Sequence, residues 1–271
     1  MANVSKGKKR KLAYKLHLIA YLDILGFRDL IKSKPPGFIS HVIGQAIQWT
    51  SPDKEDRKAF QENYVNFSDL IVHTIPLETR AVHAAGGDLY YEIKNLAFAQ
   101  AALINEGVLL RGALTVGLLE RTYKVLFGPG LIAGYELERD YAKFPRIILS
   151  PDLFQQNKAT RLLWAHEFKE EMKYIGEYVK RDDDGVVFID YLSTWREAGQ
   201  TEASFIDFLQ THKKLIERGI DEHKGNGRVL QKYLWLRKYH DAVVRKRVGK
   251  RKRHECLVAV AEPVPEIPNL L

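Results

Sequence analysis

Two carboxylates stand where chemistry could use them. Asp23 closes the apolar run 18–22 (LIAYL) and is followed at once by Ile24-Leu25-Gly26-Phe27. Asp69 comes 46 residues later, in a Ser68-Asp69 turn inside "YVNFSDLIVHTIP" (64–76). An acid at the end of a buried strand is costly unless it is paired or bound to a cation. Two acids at one sheet edge repel, and a divalent ion with a preference for oxygen ligands relieves the repulsion. Magnesium or manganese held there would also grip a triphosphate. Each acid has a plainer use as well. Asp23 could cap the helix that starts near Ile24, and Ser68-Asp69 could be simple turn chemistry. Together, in this order, they favour a metal site.

The elements that must position them read as follows. Residues 16–22 form a first strand. Residues 29–49 are helical, broken by "KPPG" at 34–37. Residues 64–76 form two strands around the turn, and 96–107 a helix ending at Gly107. Strands follow at 108–117 and 122–128, then an amphipathic helix from "GPG" to Tyr141, then a short strand at 144–151. The pattern predicts an α+β fold with a ferredoxin-like βαββαβ core, its helices on one face of an antiparallel sheet. After 152 the chain reads as mostly helical, with one β segment at 185–192 and two helices near 204–223 and 230–244. Three parts are expected: a polar segment over 1–15, a catalytic domain over 16–192, and a helical C-terminal extension over 193–271 with a basic tail.

Four segments carry a resemblance, over about residues 16–151. "YLDILGF" and "NFSDLIV" resemble the two metal-binding segments of class III nucleotidyl cyclases. "LLRGALTVG" and "YKVLFGPGLIAGYELE…PRIILS" are similar to later segments of that family. More narrowly, "RGALTVG", "FGPGLIAGYELE" and "FIDYL" resemble pyrimidine cyclases of bacterial Pycsar anti-phage systems. The resemblance implies two divalent ions, Mn2+ or Mg2+, on Asp23, Asp69 and the carbonyl of Ile24. It implies attack of the ribose 3′-hydroxyl on the α-phosphate with loss of pyrophosphate. Backbone amides after Gly26, at Phe27, would approach the phosphates, and Arg28 would touch phosphate or face water. A head-to-tail homodimer with shared active sites is implied too.

The chain departs from that family in two places. The Asn and Arg that many members carry on the helix after "FG" align with Ile132 and Glu136. Charge developing on the α-phosphate still needs stabilising, and Arg111, on an otherwise apolar strand, is the best substitute. Arg121 and Lys124 are weaker ones. The residue that reads a purine, four before the second aspartate, is Val65, beside Tyr64; its usual Asp partner is replaced by Val125 or Lys124. Tyr64, with Phe67, is expected to narrow the pocket to a pyrimidine. Contacts to the exocyclic group would then separate UTP from CTP, with UTP favoured.

Composition sets outer bounds. The chain has 271 residues, 45% hydrophobic, with 12 Phe and 13 Tyr, enough for a real core. Cys256 is the only cysteine, which excludes an intramolecular disulfide and a cysteine-cluster zinc site. No apolar run is long enough to span a bilayer, and no apolar stretch typical of a signal peptide follows the basic N-terminus, so a cytoplasmic protein is expected. The net charge of +8 is concentrated in 6–11 and 245–254, read as solvated tails rather than nucleic-acid sites. "AGGDLYY" (85–91) looks like a diguanylate cyclase signature but lacks its Glu, and is read as a turn before Tyr90. No nucleophile elbow or Walker loop occurs. The rival to an enzyme is a non-catalytic nucleotide-sensing or nucleic-acid-binding module on the same fold.

Overall fold

The computed structural model describes residues 13–50, 54–85, 87–122, 125–157, 160–197 and 201–259. The basic run 6–11, Lys124 and the proline-rich stretch 261–271 lie outside them. The chain order is β1 (Lys15–Leu25), α1 (Phe27–Ser33), α2 (Pro36–Thr50), α3 (Lys54–Phe60), β2 (Asn63–Phe67), β3 (Leu70–Pro76), α4 (Arg80–Ala85), α5 (Leu89–Asn105) and β4 (Leu109–Arg121). Next come β5 (Leu126–Phe127), α6 (Pro129–Asp140), β6 (Ile147–Leu149), α7 (Phe168–Ile175), β7 (Val179–Arg181), β8 (Val187–Ile189), α8 (Tyr191–Glu197), α9 (Glu202–Glu222), α10 (Gly227–Arg247) and α11 (Arg253–Cys256).

The sheet order is β2-β3-β1-β4-β6-β8-β7, with β5 paired to the end of β4. Strand β1 runs antiparallel to both β3 and β4. The first four strands, with α2 and α5 between them, form the expected ferredoxin-like βαββαβ unit, and a helical C-terminal region follows. The fold is α+β.

Alternation along β1 sorts the two sheet faces, because successive side chains point to opposite sides. Leu18, Ala20, Leu22 and Ile24 join the main core with Ile71, Ile75 and the apolar stripes of α2 and α5. Ile19, Tyr21 and Asp23 point the other way. There Ile19, Val72 and Leu119 form a small second cluster, flanked by Leu131 of α6. Helices are therefore not confined to one face. Helix α6 lies across the second face because glycines allow it: a Cβ on Gly130 would sit 2.6 Å from Ile19 Cδ1, and one on Gly117 2.5 Å from Gly130 Cα.

Several boundaries differ from the sequence reading. Strand β1 continues through Asp23 to Leu25, and the residue before α1 is Gly26 in the left-handed region (φ 74°), with no side-chain cap. Asp23 is therefore a strand residue and not a helix cap. Helix α5 begins at Leu89 rather than 96, with Asp88 before its first turn, so "GGDLYY" is a helix start. Of the described residues in 122–128, Leu126–Phe127 alone form a strand, β5. Strand β7 was not anticipated: it is a charged edge strand, "VKR", whose pattern carries no apolar period. The C-terminal helices share the main core: Phe205, Leu209, Leu230 and Leu236 belong to the same cluster as the sheet residues.

Candidate active site

Asp23 and Asp69 meet at the same end of the sheet. Asp23 is in register with Leu70 of β3 and with Arg111 of β4. Asp69 precedes Leu70, and its backbone carbonyl accepts a hydrogen bond from the Ile24 amide at 3.3 Å. The turn that presents Asp69 needs Ser68 at φ 61°, a conformation costly for most residues. Asp69 has no ion-pair partner among the described residues, whereas Asp23 is engaged. Arg111 Nε donates to Asp23 Oδ2 at 2.7 Å, and its Nη2 lies 2.6 Å from Glu138 Oε1. Arg111 Nη1 also donates to the Ala142 carbonyl at 3.4 Å. The expected arginine thus points into the site, held by two acids.

Glu138 is a functional candidate that sequence reasoning missed. Gly130, Gly134 and Glu138 form one buried stripe of α6 at four-residue spacing. The two glycines lay the helix on β1 and β4, and the stripe then delivers Glu138 to Arg111. Burial raises the Glu138 pKa, Arg111 opposes the shift, and Asp23 adds to it. The stripe was visible as a Gly-x-x-x-Gly-x-x-x-Glu spacing, but a carboxylate within "YELERD" gave no sign that it would be buried. On the opposite side of α6, Ile132 and Glu136 are exposed.

A second cation bears on the site from outside the core. Lys232 of α10 is half-buried; its pKa is lowered by burial first, then by Arg111 and Arg228, while Asp23 and Glu138 act against the shift. No hydrogen bond or ion pair within 4 Å joins Lys232 to any other described residue.

The remaining expected residues divide. Phe27 has its side chain in the main core, so only its backbone amide is available to a ligand. Arg28 is exposed. Tyr64 is among the residues that line a cavity on the open face, but its ring is turned to the other side of the sheet. It is in register with His73, and its ring stacks on that imidazole at 4.4 Å and 5° on the helical face, with Thr50 Oγ1 3.3 Å from its hydroxyl. Register decides this, since a one-residue step along a strand reverses the face. The open face at β2 instead carries Val65 and Phe67, both exposed. Arg121 lies ten residues beyond Arg111 along β4, about 33 Å at strand rise, too far to act at Asp23. Lys124 lies outside the described residues.

Tyr21, two residues before Asp23, joins Tyr64, Val65, Arg121, Ile132 and Tyr135 in lining a cavity of about 640 Å3 on the open face, whose walls include neither acid. That volume suits a small organic ligand. The chain is similar to the adenylyl cyclase CyaB from P. aeruginosa, at 13% identity and TM-score 0.41, over 66% of this chain and 94% of that one. It is also similar to the monomeric guanylyl cyclase domain of the RhoGC fusion protein from the aquatic fungus Blastocladiella emersonii. There the identity is 11% and the TM-score 0.43, over 66% of this chain and 97% of that one. No protein-family model and no curated protein matches the chain. No helix among the described residues is long and apolar enough to cross a membrane.

The donor set fits a hard divalent cation. Asp23, Asp69 and the Ile24 carbonyl are all oxygen donors, and Asp69 has no ion-pair partner among the described residues. Among the described residues no group of three or more His, Cys, Asp or Glu side chains is placed to hold an ion by itself. Magnesium and manganese commonly take one or two protein carboxylates and complete their shell with water and substrate phosphate.

Proposed function

We propose that the chain is a metal-dependent nucleotidyl cyclase that converts a pyrimidine nucleoside triphosphate, UTP in preference to CTP, to its 3′,5′-cyclic monophosphate and pyrophosphate. The observation that carries this reading is the meeting of Asp23 and Asp69, the latter with no ion-pair partner among the described residues, at one sheet end, next to an open cavity. Two divalent ions, Mn2+ or Mg2+, would supply the charge that binds the triphosphate and acidifies the 3′-hydroxyl. Asp23, Asp69 and the Ile24 carbonyl would hold them. Arg111, freed from Asp23 as the ions arrive, would face the α-phosphate while Glu138 keeps its guanidinium in place. The base would enter the cavity lined by Val65, Tyr21 and Arg121, where the purine-reading position is the uncharged Val65. Catalysis is assigned to 16–192, with a homodimer closing over the open face, a cytoplasmic setting, and a role as an infection signal. The last rests on the motif resemblance alone.

A second reading is favoured by one contact. The Asp23–Arg111 ion pair occupies a ligand oxygen, as it would in a non-catalytic nucleotide sensor. An equimolar mixture of ATP, GTP, CTP and UTP with manganese separates the two. The enzyme reading expects cyclic UMP as the main product by mass spectrometry. Nucleotide bound and recovered unchanged would favour the sensor, and a cyclic purine product would refute the base assignment.

A further inference from the structure

Helix α6 carries Ile132 and Glu136 where a polar pair would meet the substrate, and Arg111 is shared between two acids. A further cation comes from α10. Arg228, Lys232, Trp235 and Tyr239 recur at spacings of four, three and four, so they lie on one helix face. That face is anchored. The Trp235 ring stacks on Phe144 with centroids 5.5 Å apart and planes 4° apart, and its Nε1 donates to Asp182 Oδ2 at 2.6 Å. Tyr239 donates its hydroxyl hydrogen to Asp190 Oδ1 at 2.7 Å. Phe144 lies two residues past Ala142, whose carbonyl holds Arg111. Lys232, one turn before Trp235, is therefore carried to the side of the site that this loop closes. The charges that act on it most are Arg111 and Arg228, which lower its pKa, and Asp23 and Glu138, which raise it. A half-buried ammonium with no acid within ion-pair distance among the described residues gains from an anion that comes to it.

We propose that Lys232, carried by α10 of the C-terminal helical region, is a substrate-binding residue that grips the nucleotide's triphosphate above Asp23. This rests on the cyclase reading and extends the site beyond the ferredoxin-like core. Lysine acts on phosphate as a point charge, so Lys232→Arg should preserve most of the effect and Lys232→Ala should not.

The test uses the full chain and 3′-deoxynucleoside triphosphates, which bind but lack the attacking hydroxyl. Calorimetry with magnesium gives the dissociation constant for the tightest of the four; turnover of the matching ribonucleotide gives kcat and KM. Lys232→Ala is expected to weaken binding roughly ten- to a hundred-fold, the worth of a charge-assisted hydrogen bond. KM should rise with it, an unchanged melting temperature should show an intact fold, and Lys232→Arg should restore most of the loss. Equal binding and equal KM in wild type and Lys232→Ala would overturn the role of Lys232 and leave the cyclase reading standing. A wild type that binds none of the four and turns over none would overturn both.

Discussion

Arg111 decides how the site can be switched. It sits between Asp23 and Glu138, so a divalent ion held by Asp23 would compete with it for that carboxylate. Glu138, by sharing the arginine, would ease that exchange under the proposed reading. Glu138→Gln should leave the chain folded, because burial already disfavours the charged carboxylate. It should also leave Arg111 leaning on Asp23, so the metal concentration for half-maximal activity should rise several-fold in a manganese titration. An unchanged titration would remove Glu138 from the site. The placement of Asp23 and Asp69 at one sheet end was legible in the sequence because an acid at a strand end and an acid in a turn are local signals. Glu138 and Lys232 were not. One is placed by a glycine stripe, the other by a helix about 120 residues beyond the β4 arginine it faces, and neither link is local.

At the scale of elements, strand register outweighs residue type. An aromatic at position 64 suggested a base-reading ring, but pairing with His73 turns it to the helical face. Tyr64→Ala should therefore cost stability, roughly 2 kcal/mol for a partly buried aromatic, and leave the choice of base alone. Val65→Glu, one residue on and on the open face, should change the base profile. A substrate panel on both variants checks this; an altered profile in Tyr64→Ala with normal stability contradicts it. The ring that Tyr64 covers belongs to a buried pair of contacts. His73 Nδ1 is 2.9 Å from Glu92 and its Nε2 3.4 Å from Glu62. Burial lowers the imidazole's pKa, but Glu92 and Glu62 more than reverse this and hold it at about 9. A raised pKa stabilises the fold fully below the unfolded value near 6.5, and the contribution is lost as pH rises through 9. Urea midpoints should therefore fall between pH 7 and 10 in wild type, and the fall should be smaller in His73→Gln. The long helices α2, α6, α9 and α10 were readable from their apolar periods and the first four strands from alternation, whereas the short helices α4, α7 and α8 were not. The charged edge strand β7 and the true start of α5 were not, because each is fixed by what packs beside it.

For the whole molecule, the C-terminal helices are part of the core that holds the sheet. Leu209, Leu230, Leu236 and Val243 are all fully buried in the cluster that contains Leu18 and Ile71. Arg146, fully buried, pairs with Asp182 and Asp184 under Trp235 of α10. A fragment ending at 192 should thus lose cooperative unfolding in near-ultraviolet circular dichroism and denaturant titration; a sharp transition in that fragment would show the helices to be an appendage. The central claim is that two aspartates at one sheet end run a metal-dependent cyclisation. The most direct measurement compares wild type with Asp69→Asn in UTP and manganese, quantifying cyclic UMP by mass spectrometry. Asp69 has no ion-pair partner to lose, so the variant should melt within about 1 kcal/mol of wild type. The account predicts cyclic UMP from wild type and a loss of at least a hundred-fold, about 2.7 kcal/mol of barrier, in the variant. Equal product from a folded Asp69→Asn, or no cyclic nucleotide from wild type with any of the four triphosphates, would contradict it.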